Sequence, residues 1–536
     1  MNSDSKADIL KLALPGVLIA ILLLAPFLNK AFTIDDPTFL LEARQILKTP
    51  LQPWSFPICY GDNLCVTQAG NMGANAREGL MGYVLVPVIL TGGAEWLAHL
   101  IQILLVCLVV FEMVALAFRV GLSRIQAAVA GLFVVAIPPL LSMASTAMPD
   151  VLALALGLSG IERLLAWKDE RRWHQAAVAA LALGLAPYAR PHFALFLPLG
   201  ALWLLDELKI RKAFGQFRRQ AVLWMPVLVA GLVLFAVNFF TRPRGSGVER
   251  NMEIGFGNIP LNLFAYLHYL SFPIPLTVVW FVRQWRTVKI IILVFSVPVV
   301  AAHFMAFSPK SVVWEFEVAA VLFGGALIVD MSRVQLRARN RVGILLLLWM
   351  LIPLPAVIYA HFPIKYMMAV TPAIVLILIK LLSNVPSRLA YLAYAIIVAM
   401  CAGYSLILLR ADANFAESSR EAVRELVAPR VAAGERVWFG GDWGFYWYAQ
   451  EAGARVSRPD EPGPNRGELL VVGLMESGGL TLQRFPNREL IKSRSYNSPH
   501  GRTMEYGAGL YSNYYGLLPW RWNPGATNVY QVWRIH

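Results

Sequence analysis

Apolar blocks of roughly helical membrane length recur along this chain, among them Leu12 to Leu28, Leu97 to Phe118, Val222 to Phe240 and Leu345 to Ala360. At about 1.5 Å of rise per residue, each is long enough as a helix to cross a hydrocarbon layer about 30 Å thick. Lipid offers no partner to a bare N–H or C=O, so such blocks must be helical, and several of them make a bundle. Of 536 residues, 57% are hydrophobic and 15% charged, against about 25% charged in an ordinary soluble domain. A mean hydropathy of +0.57 excludes a soluble enzyme. An all-α polytopic membrane bundle is the fold class expected.

The 33 Pro and 39 Gly are scattered through the apolar blocks. Many helices are therefore expected to be kinked or broken, which lipid tolerates only where other helices or water satisfy the freed backbone groups. A bundle enclosing a cavity follows. The net charge of +14 is not a nucleic-acid signature, because the basic residues sit in short loops, where they act as topology signals.

With the N-terminus in the cytoplasm, twenty basic residues gather on that side: Lys6 and Lys11, Arg119 and Arg124, Lys168 to Arg172, Lys209 to Arg219, Arg283 to Lys289, Arg333 to Arg341, and Arg388. Six (Arg190, Arg242, Arg244, Arg250, Lys310, Lys365) fall in the later outer segments, and four in the first outer loop. This alternation requires Gly79 to Leu90 to be an interfacial or re-entrant helix. It leaves thirteen expected spans, near 12–28, 96–118, 125–142, 150–167, 175–189, 192–206, 221–240, 263–282, 287–307, 313–330, 342–360, 364–382 and 388–408. An odd number places the C-terminus outside. The expected setting is a bacterial inner membrane, with the tail in the periplasm.

From Arg410 the composition changes to fifteen basic and thirteen acidic residues over 127 positions, with no block long enough to cross. Residues 1–409, including an outer loop over 29–95, are read as the membrane module, and 410–536 as a small soluble domain. Arg436 to Phe439, Gly467 to Val472 and Asn528 to Ile535 have strand character around a short helix over Trp443 to Glu451, an α/β or α+β unit without a catalytic motif. The aromatic run from Trp438 to Tyr448 fits either a strand-turn-helix core or a platform for sugar rings. The Gly- and Arg-containing stretch from Arg242 to Asn262 is long for a bundle connection, and fits a lid or a linker equally.

Cys59 and Cys65 lie close together in the first outer loop and are candidates for a periplasmic disulfide, with two free thiols as the alternative. Cys107 and Cys401 fall inside spans. No Cys or His pair has metal-ligand spacing, so no metal is expected. The first block is long for the core of a cleaved signal peptide and no A-x-A site follows it, so it is read as a retained span.

Function is sought where ionisable groups sit at membrane depth or just beyond it. The first outer loop begins Thr33-Ile-Asp35-Asp36-Pro37-Thr-Phe39. Asp36 before Pro has the form of a helix start, with the carboxylate as cap. Asp35 cannot cap the same helix, and a carboxylate pressed against another is a candidate general base. A solvated loop position remains its alternative.

Here the chain resembles the GT-C glycosyltransferases that use polyprenyl-phosphate sugars, especially the protein O-mannosyltransferases and the lipid A aminoarabinose transferases. Those families carry an Asp-Glu pair just after the first span, then an aromatic and an interfacial helix. Asp35-Asp36-x-x-Phe39 is similar, with Asp in place of Glu. Ala147-Met-Pro-Asp150 resembles their second acidic position, Gly184-Leu-Ala-Pro-Tyr-Ala-Arg190-Pro191 their segment ending in a basic residue, and Lys365-Tyr366 with Pro372 their Arg-Tyr then Pro motif. Where the family has Pro-Pro and an aromatic before the interfacial helix, this chain departs, with Asn75 to Tyr83.

The resemblance implies an inverting transfer from a polyprenyl-phosphate sugar, without a cofactor, onto an acceptor hydroxyl of a protein, a lipid-linked glycan or a polysaccharide. It implies Asp35 as base with Asp36 beside it, Arg190 and Lys365 as phosphate cations, and Asp150 and Tyr366 as substrate contacts. Arg190 and Lys365 also fit snorkelling to headgroups, and Asp150 also fits a helix-dipole partner. A lipid or glycolipid transporter is the rival class, because broken spans and midplane polar groups occur there too. No internal repeat supports it.

Overall fold

The computed structural model describes residues 3–56, 58–60, 64–66, 79–208, 215–216, 220–241, 255–271, 321, 325, 328–329, 331–337, 340–383, 387–459, 461–523 and 525–536. The span expected over 287–307, most of those over 263–282 and 313–330, and the lid-or-linker stretch up to residue 254 lie outside them.

The apolar blocks are helices. The membrane part is built on α1 (Ser3–Leu24), α5 (Glu95–Arg119), α8 (Asp150–Glu170), α9 (Trp173–Ala189), α11 (Met225–Thr241), α14 (Thr371–Leu382) and α15 (Ser387–Ala422). Shorter pieces are α6 (Arg124–Ala136), α7 (Pro138–Ala144), α10 (Phe196–Leu204), α12 (Ile259–Ser271) and α13 (Arg341–Trp349). Among the described residues, six helices are long and apolar enough to cross a membrane, or seven if the bent pair α6–α7 is one span. Leu10, Leu14, Leu18 and Leu22 recur every four residues along α1, and all are exposed. Leu228, Leu232, Phe235 and Phe239 form a similar stripe on α11. Such stripes are stable only against lipid.

Proline explains where the helices fall short of the expected spans. The span expected over 125–142 bends by 59° between α6 and α7, because Ile137, extended at ψ 125°, precedes Pro138 and Pro139. Similarly, α9 ends at Arg190, which is extended before Pro191. Where α9 crosses α11, Gly184 permits the contact, since a Cβ there would lie 2.8 Å from the Ala230 carbonyl oxygen.

Short elements carry the first loop. The helix α2 (Asp36–Ile46) is buried along nearly its whole length. It packs against α3 (Leu80–Val84) and α4 (Val86–Leu90), two five-residue helices that meet at Leu85. Between them, β1 (Ile58–Tyr60) and β2 (Leu64–Val66) pair antiparallel with Cys59 opposite Cys65. The two thiols themselves lie outside the described side chains.

Helix α15 does not stop at the composition change near Arg410. It runs to Ala422 and continues through a π turn and a short helix to Ala432. Beyond it, β3 (Val437–Gly440), β4 (Arg455–Val456), β5 (Leu469–Gly473), β6 (Arg488–Asn497) and β9 (Ala526–Ile535) form one mixed sheet in the order β4-β3-β5-β9-β6. The helix α16 (Trp443–Glu451) connects the parallel strands β3 and β4. A small hairpin, β7 (Met504–Glu505) with β8 (Ala508–Gly509), lies before β9.

Candidate active site

The chain leaves α1 through a 3-10 turn and reaches Ile34, whose φ of +46° is strained for a branched side chain. That turn aims Asp35 and Asp36 in different directions. Asp35 occupies the N-cap position of α2 without capping it, and its side chain is 42% exposed. Asp36 is completely buried. One of its carboxylate oxygens accepts the Thr33 N–H at 2.9 Å and the other accepts the Ala147 N–H at 2.8 Å. The capping expectation for Asp36 is thereby corrected: its carboxylate turns back and ties the loop to the start of the segment carrying Asp150. Burial raises its pKa to about 7, against the opposing pull of the Lys30 ammonium and the two N–H donors.

Lys365 meets Asp35 from the far side of the site. It lies in a 3-10 helix, Ile364–Val370, is 5% exposed, and places Nζ 3.3 Å from the Asp35 carboxylate and 3.9 Å from Met148 Sδ. Met148 belongs to the Ala147–Asp150 motif, so three of the four quoted motifs converge at one point. The fourth joins through Arg190, whose Nε and Nη2 reach the two oxygens of Asp150 at 3.0 and 2.5 Å. Both residues of that pair are buried. The fork geometry neutralises Arg190 locally, whereas Lys365 faces a half-exposed carboxylate. Tyr366 packs tilted against His192, with ring centroids 5.2 Å apart, and edge-on against Tyr359 and Phe362.

Several residues of the site carried no signal in the sequence. His361 sits in the short connection before Lys365. Burial lowers its pKa to about 4, helped by Lys365 and Arg190 and opposed by Asp35, so the imidazole is neutral near pH 7. Lys30 is buried in an ion pair with Asp412 of α15 at 2.5 Å. Its Nζ also donates to the Ser145 carbonyl at 2.8 Å. The tail contributes as well. Tyr511 donates to Asp412 at 2.7 Å, Asn513 accepts the Phe362 N–H at 2.9 Å, and the Tyr514 ring lies 5.5 Å from His361.

The aromatic run of the tail divides between two tasks. Phe439, Phe445 and Tyr446 pack on one another in the core. Trp447 and Tyr448 instead grip Phe32, three residues before Asp35: Trp447 meets its ring edge-on at 6.0 Å, and the Tyr448 hydroxyl accepts its N–H at 2.8 Å. Gly444 makes room for this grip, since a Cβ there would overlap the Phe32 carbonyl oxygen. Among the described residues, no group of three His, Cys, Asp or Glu side chains is placed to hold a metal ion.

No protein-family model matches the chain, and no curated protein matches it by sequence. Among solved structures, it resembles ArnT from Cupriavidus metallidurans, a lipid A aminoarabinose transferase, in its undecaprenyl-phosphate-bound form. Identity is 13%, the TM-score is 0.51, and the match covers 89% of this chain and 96% of that one. ArnT in the apo state matches at 14% identity and a TM-score of 0.45, over 89% and 95% of the two chains. The archaeal oligosaccharyltransferase AglB from Archaeoglobus fulgidus matches at 14% identity and a TM-score of 0.45, over 91% and 73%. The GT-C resemblance drawn from the motifs therefore extends to the fold, over nearly the whole length of the chain.

Proposed function

We propose that this chain is an integral-membrane inverting glycosyltransferase. It moves a sugar from a polyprenyl phosphate to an acceptor hydroxyl on the periplasmic side of a bacterial inner membrane. The observation that carries this reading is the Asp35–Lys365 pair: a half-exposed carboxylate against a nearly buried ammonium, at the end of a lipid-facing bundle whose fold matches an undecaprenyl-phosphate-bound protein. A donor with an apolar tail, a phosphate at the interface and a sugar in water calls for that order of surfaces.

In the resting pair the two charges are 3.3 Å apart, too close for a sugar carbon with an attacking and a leaving oxygen to stand between them. Donor entry must therefore separate them. The phosphate takes the Lys365 ammonium in a charge-assisted hydrogen bond, and Asp35 is left facing the acceptor. The acceptor oxygen then attacks the anomeric carbon opposite the phosphate while its proton passes to Asp35. The bond from that carbon to the phosphate oxygen breaks, and polyprenyl phosphate leaves with the electron pair. One displacement inverts the centre. Lys365 stabilises the charge that grows on the phosphate, where low dielectric strengthens a fixed cation. The Asp150–Arg190 fork forms the wall behind it, Tyr366 lines the sugar side, and Asp36 holds the loop.

The test is release of radiolabelled polyprenyl phosphate from a panel of polyprenyl-phosphate sugars by the purified protein in nanodiscs. Release that disappears in Asp35→Asn is the expected result. A wild-type protein that binds undecaprenyl phosphate but releases none from any donor, with or without envelope extract as acceptor, would overturn the reading.

A further inference from the structure

One short segment of the tail touches both halves of the site. Tyr511 and Asn513 are both buried, and two residues separate Cα atoms by at most about 7 Å. On one side, the Tyr511 hydroxyl donates to Asp412 at 2.7 Å, on the same carboxylate oxygen that pairs with Lys30. Thr503 reaches the other oxygen at 3.4 Å. Lys30 opens the loop that carries Asp35, and its own carbonyl accepts from His99 at 2.9 Å.

On the other side, Asn513 Oδ1 accepts the Phe362 N–H at 2.9 Å and its Nδ2 donates to Asn262 Oδ1 at 3.1 Å. Asn262 in turn donates to the Val357 and Tyr359 carbonyls at 3.0 and 2.7 Å. These bonds hold the connection that leads into Lys365. The segment is itself stiff: the Leu510 N–H donates to Thr503 and the Gly509 N–H to Leu518.

We propose that Tyr511 and Asn513 are positioning residues that together clamp the Asp35 loop and the Lys365 connection at a set separation. The catalytic consequence rests on the glycosyltransferase reading above, but the mechanical link does not. Both residues act through others, Tyr511 through Asp412 and Lys30, and Asn513 through Phe362 and Asn262. They control how far base and phosphate cation stand apart when the donor enters between them, the quantity to which an in-line displacement is most sensitive.

The experiment uses the full-length protein in nanodiscs, as wild type, Tyr511→Phe, Asn513→Ala, the double variant, and Glu489→Gln on the distant strand β6 as a control. Amide hydrogen exchange is followed in peptides covering 30–36 and 359–366. The clamp predicts that each single substitution accelerates exchange in both peptides while the control matches wild type. Acceleration confined to the side that was cut, or none, overturns it. Tyr511→Phe removes one hydroxyl and keeps the buried ring, and Asn513→Asp keeps the acceptor for Phe362 should Asn513→Ala not fold.

Turnover is measured on the same samples with whichever polyprenyl-phosphate sugar wild type uses. Each single variant should lower kcat about tenfold to hundredfold, with donor KM within about threefold. The double variant should be within about twofold of the poorer single, because cutting a clamp at either end releases it. Effects that multiply, or kcat unchanged in folded protein, count against the clamp. If wild type releases polyprenyl phosphate from no donor, it is the glycosyltransferase reading that fails, and hydrogen exchange still decides the link.

Discussion

Both ends of the bundle are rich in buried charge, but they pair it differently. Helix α5 runs from Glu95, beside the tail, to Arg119 at the far end. There Arg119 is 8% exposed and held by Glu162, Asp169 and Glu170 at 2.7, 2.9 and 3.2 Å. Arg163 nearby is shared between Glu112 and Glu162. Each of these cations meets two or three carboxylates. At the site end, Lys30, Arg190 and Lys365 each pair with one carboxylate among the described residues; Asp412 and Asp150 are buried with their cations, whereas the Asp35 that faces Lys365 is 42% exposed. A dense ionic network is therefore not by itself the mark of a site. The distinguishing feature is a nearly buried cation whose single described carboxylate partner is open to solvent.

Breaking the open pair should have the largest functional effect and a smaller structural one. On the proposed reading, Asp35→Asn removes the proton acceptor, which typically contributes about 10²–10⁴ in rate, while the nearly buried Lys365 keeps an amide oxygen in place of its carboxylate partner. Polyprenyl phosphate release should fall by that factor with only a modest drop in the thermal midpoint. A comparable fall in midpoint would mean that the residue braces the loop instead. The opposite pattern is expected at the far end. Arg119→Leu takes from the buried Glu162 its shortest ionic contact and leaves it only Arg163, and should destabilise the bundle by about 3–5 kcal/mol, with turnover per folded molecule kept. Thermal unfolding and active-site-normalised turnover separate the two cases.

Lys365→Gln sharpens the comparison on the site side. A hydrogen bond to a charged group is worth about 1.5–3 kcal/mol, so affinity for undecaprenyl phosphate should drop roughly tenfold to a hundredfold. Arg190→Gln should instead lower stability, because it strands the buried Asp150, and should change affinity less. Equal losses of affinity in the two variants would return Arg190 to the phosphate.

How much of this arrangement was legible in the sequence depends on the range of the signal. Apolar blocks are local, and they coincide with helices wherever residues are described; proline-directed breaks, such as that at Ile137, could be foreseen in kind but not placed. The strand β6 was silent because Arg488 to Asn497 is an exposed, charged edge strand without alternation. Within the site, Asp35, Asp150, Arg190 and Lys365 were visible as ionisable groups at span ends. The pairing of Asp150 with Arg190 was not, since it joins positions forty residues apart on different helices. Tyr511, Asn513 and His361 left no trace, because an ordinary Tyr, Asn or His becomes informative only through what the fold sets against it. Nor did the composition change at Arg410 show that α15 runs on into the tail and delivers Asp412 to Lys30.

The smallest expected effect concerns Asp36, the buried strut of the loop beside Asp35. The pKa of Asp36 is raised from 3.8 to about 7 by burial, so between those values the folded protein holds a proton that the unfolded chain has lost. Stability must then fall as pH rises from about 4 to about 7 and level off above, with a slope of at most about 1.4 kcal/mol per pH unit for one proton. Glu476 in the tail, raised to about 8 by burial, adds a slope of the same sign from about pH 4.5 upward. The two are separable by substitution. Asp36→Asn should remove its share of the slope below pH 7 and leave that of Glu476 from about 4.5 to about 8, whereas Glu476→Gln should remove the limb between about 7 and 8 and leave the Asp36 slope below it. If the slope between about pH 4.5 and 7 keeps its full size in Asp36→Asn, Asp36 is not a group whose burial sets it, and its place as the buried strut of the loop is lost.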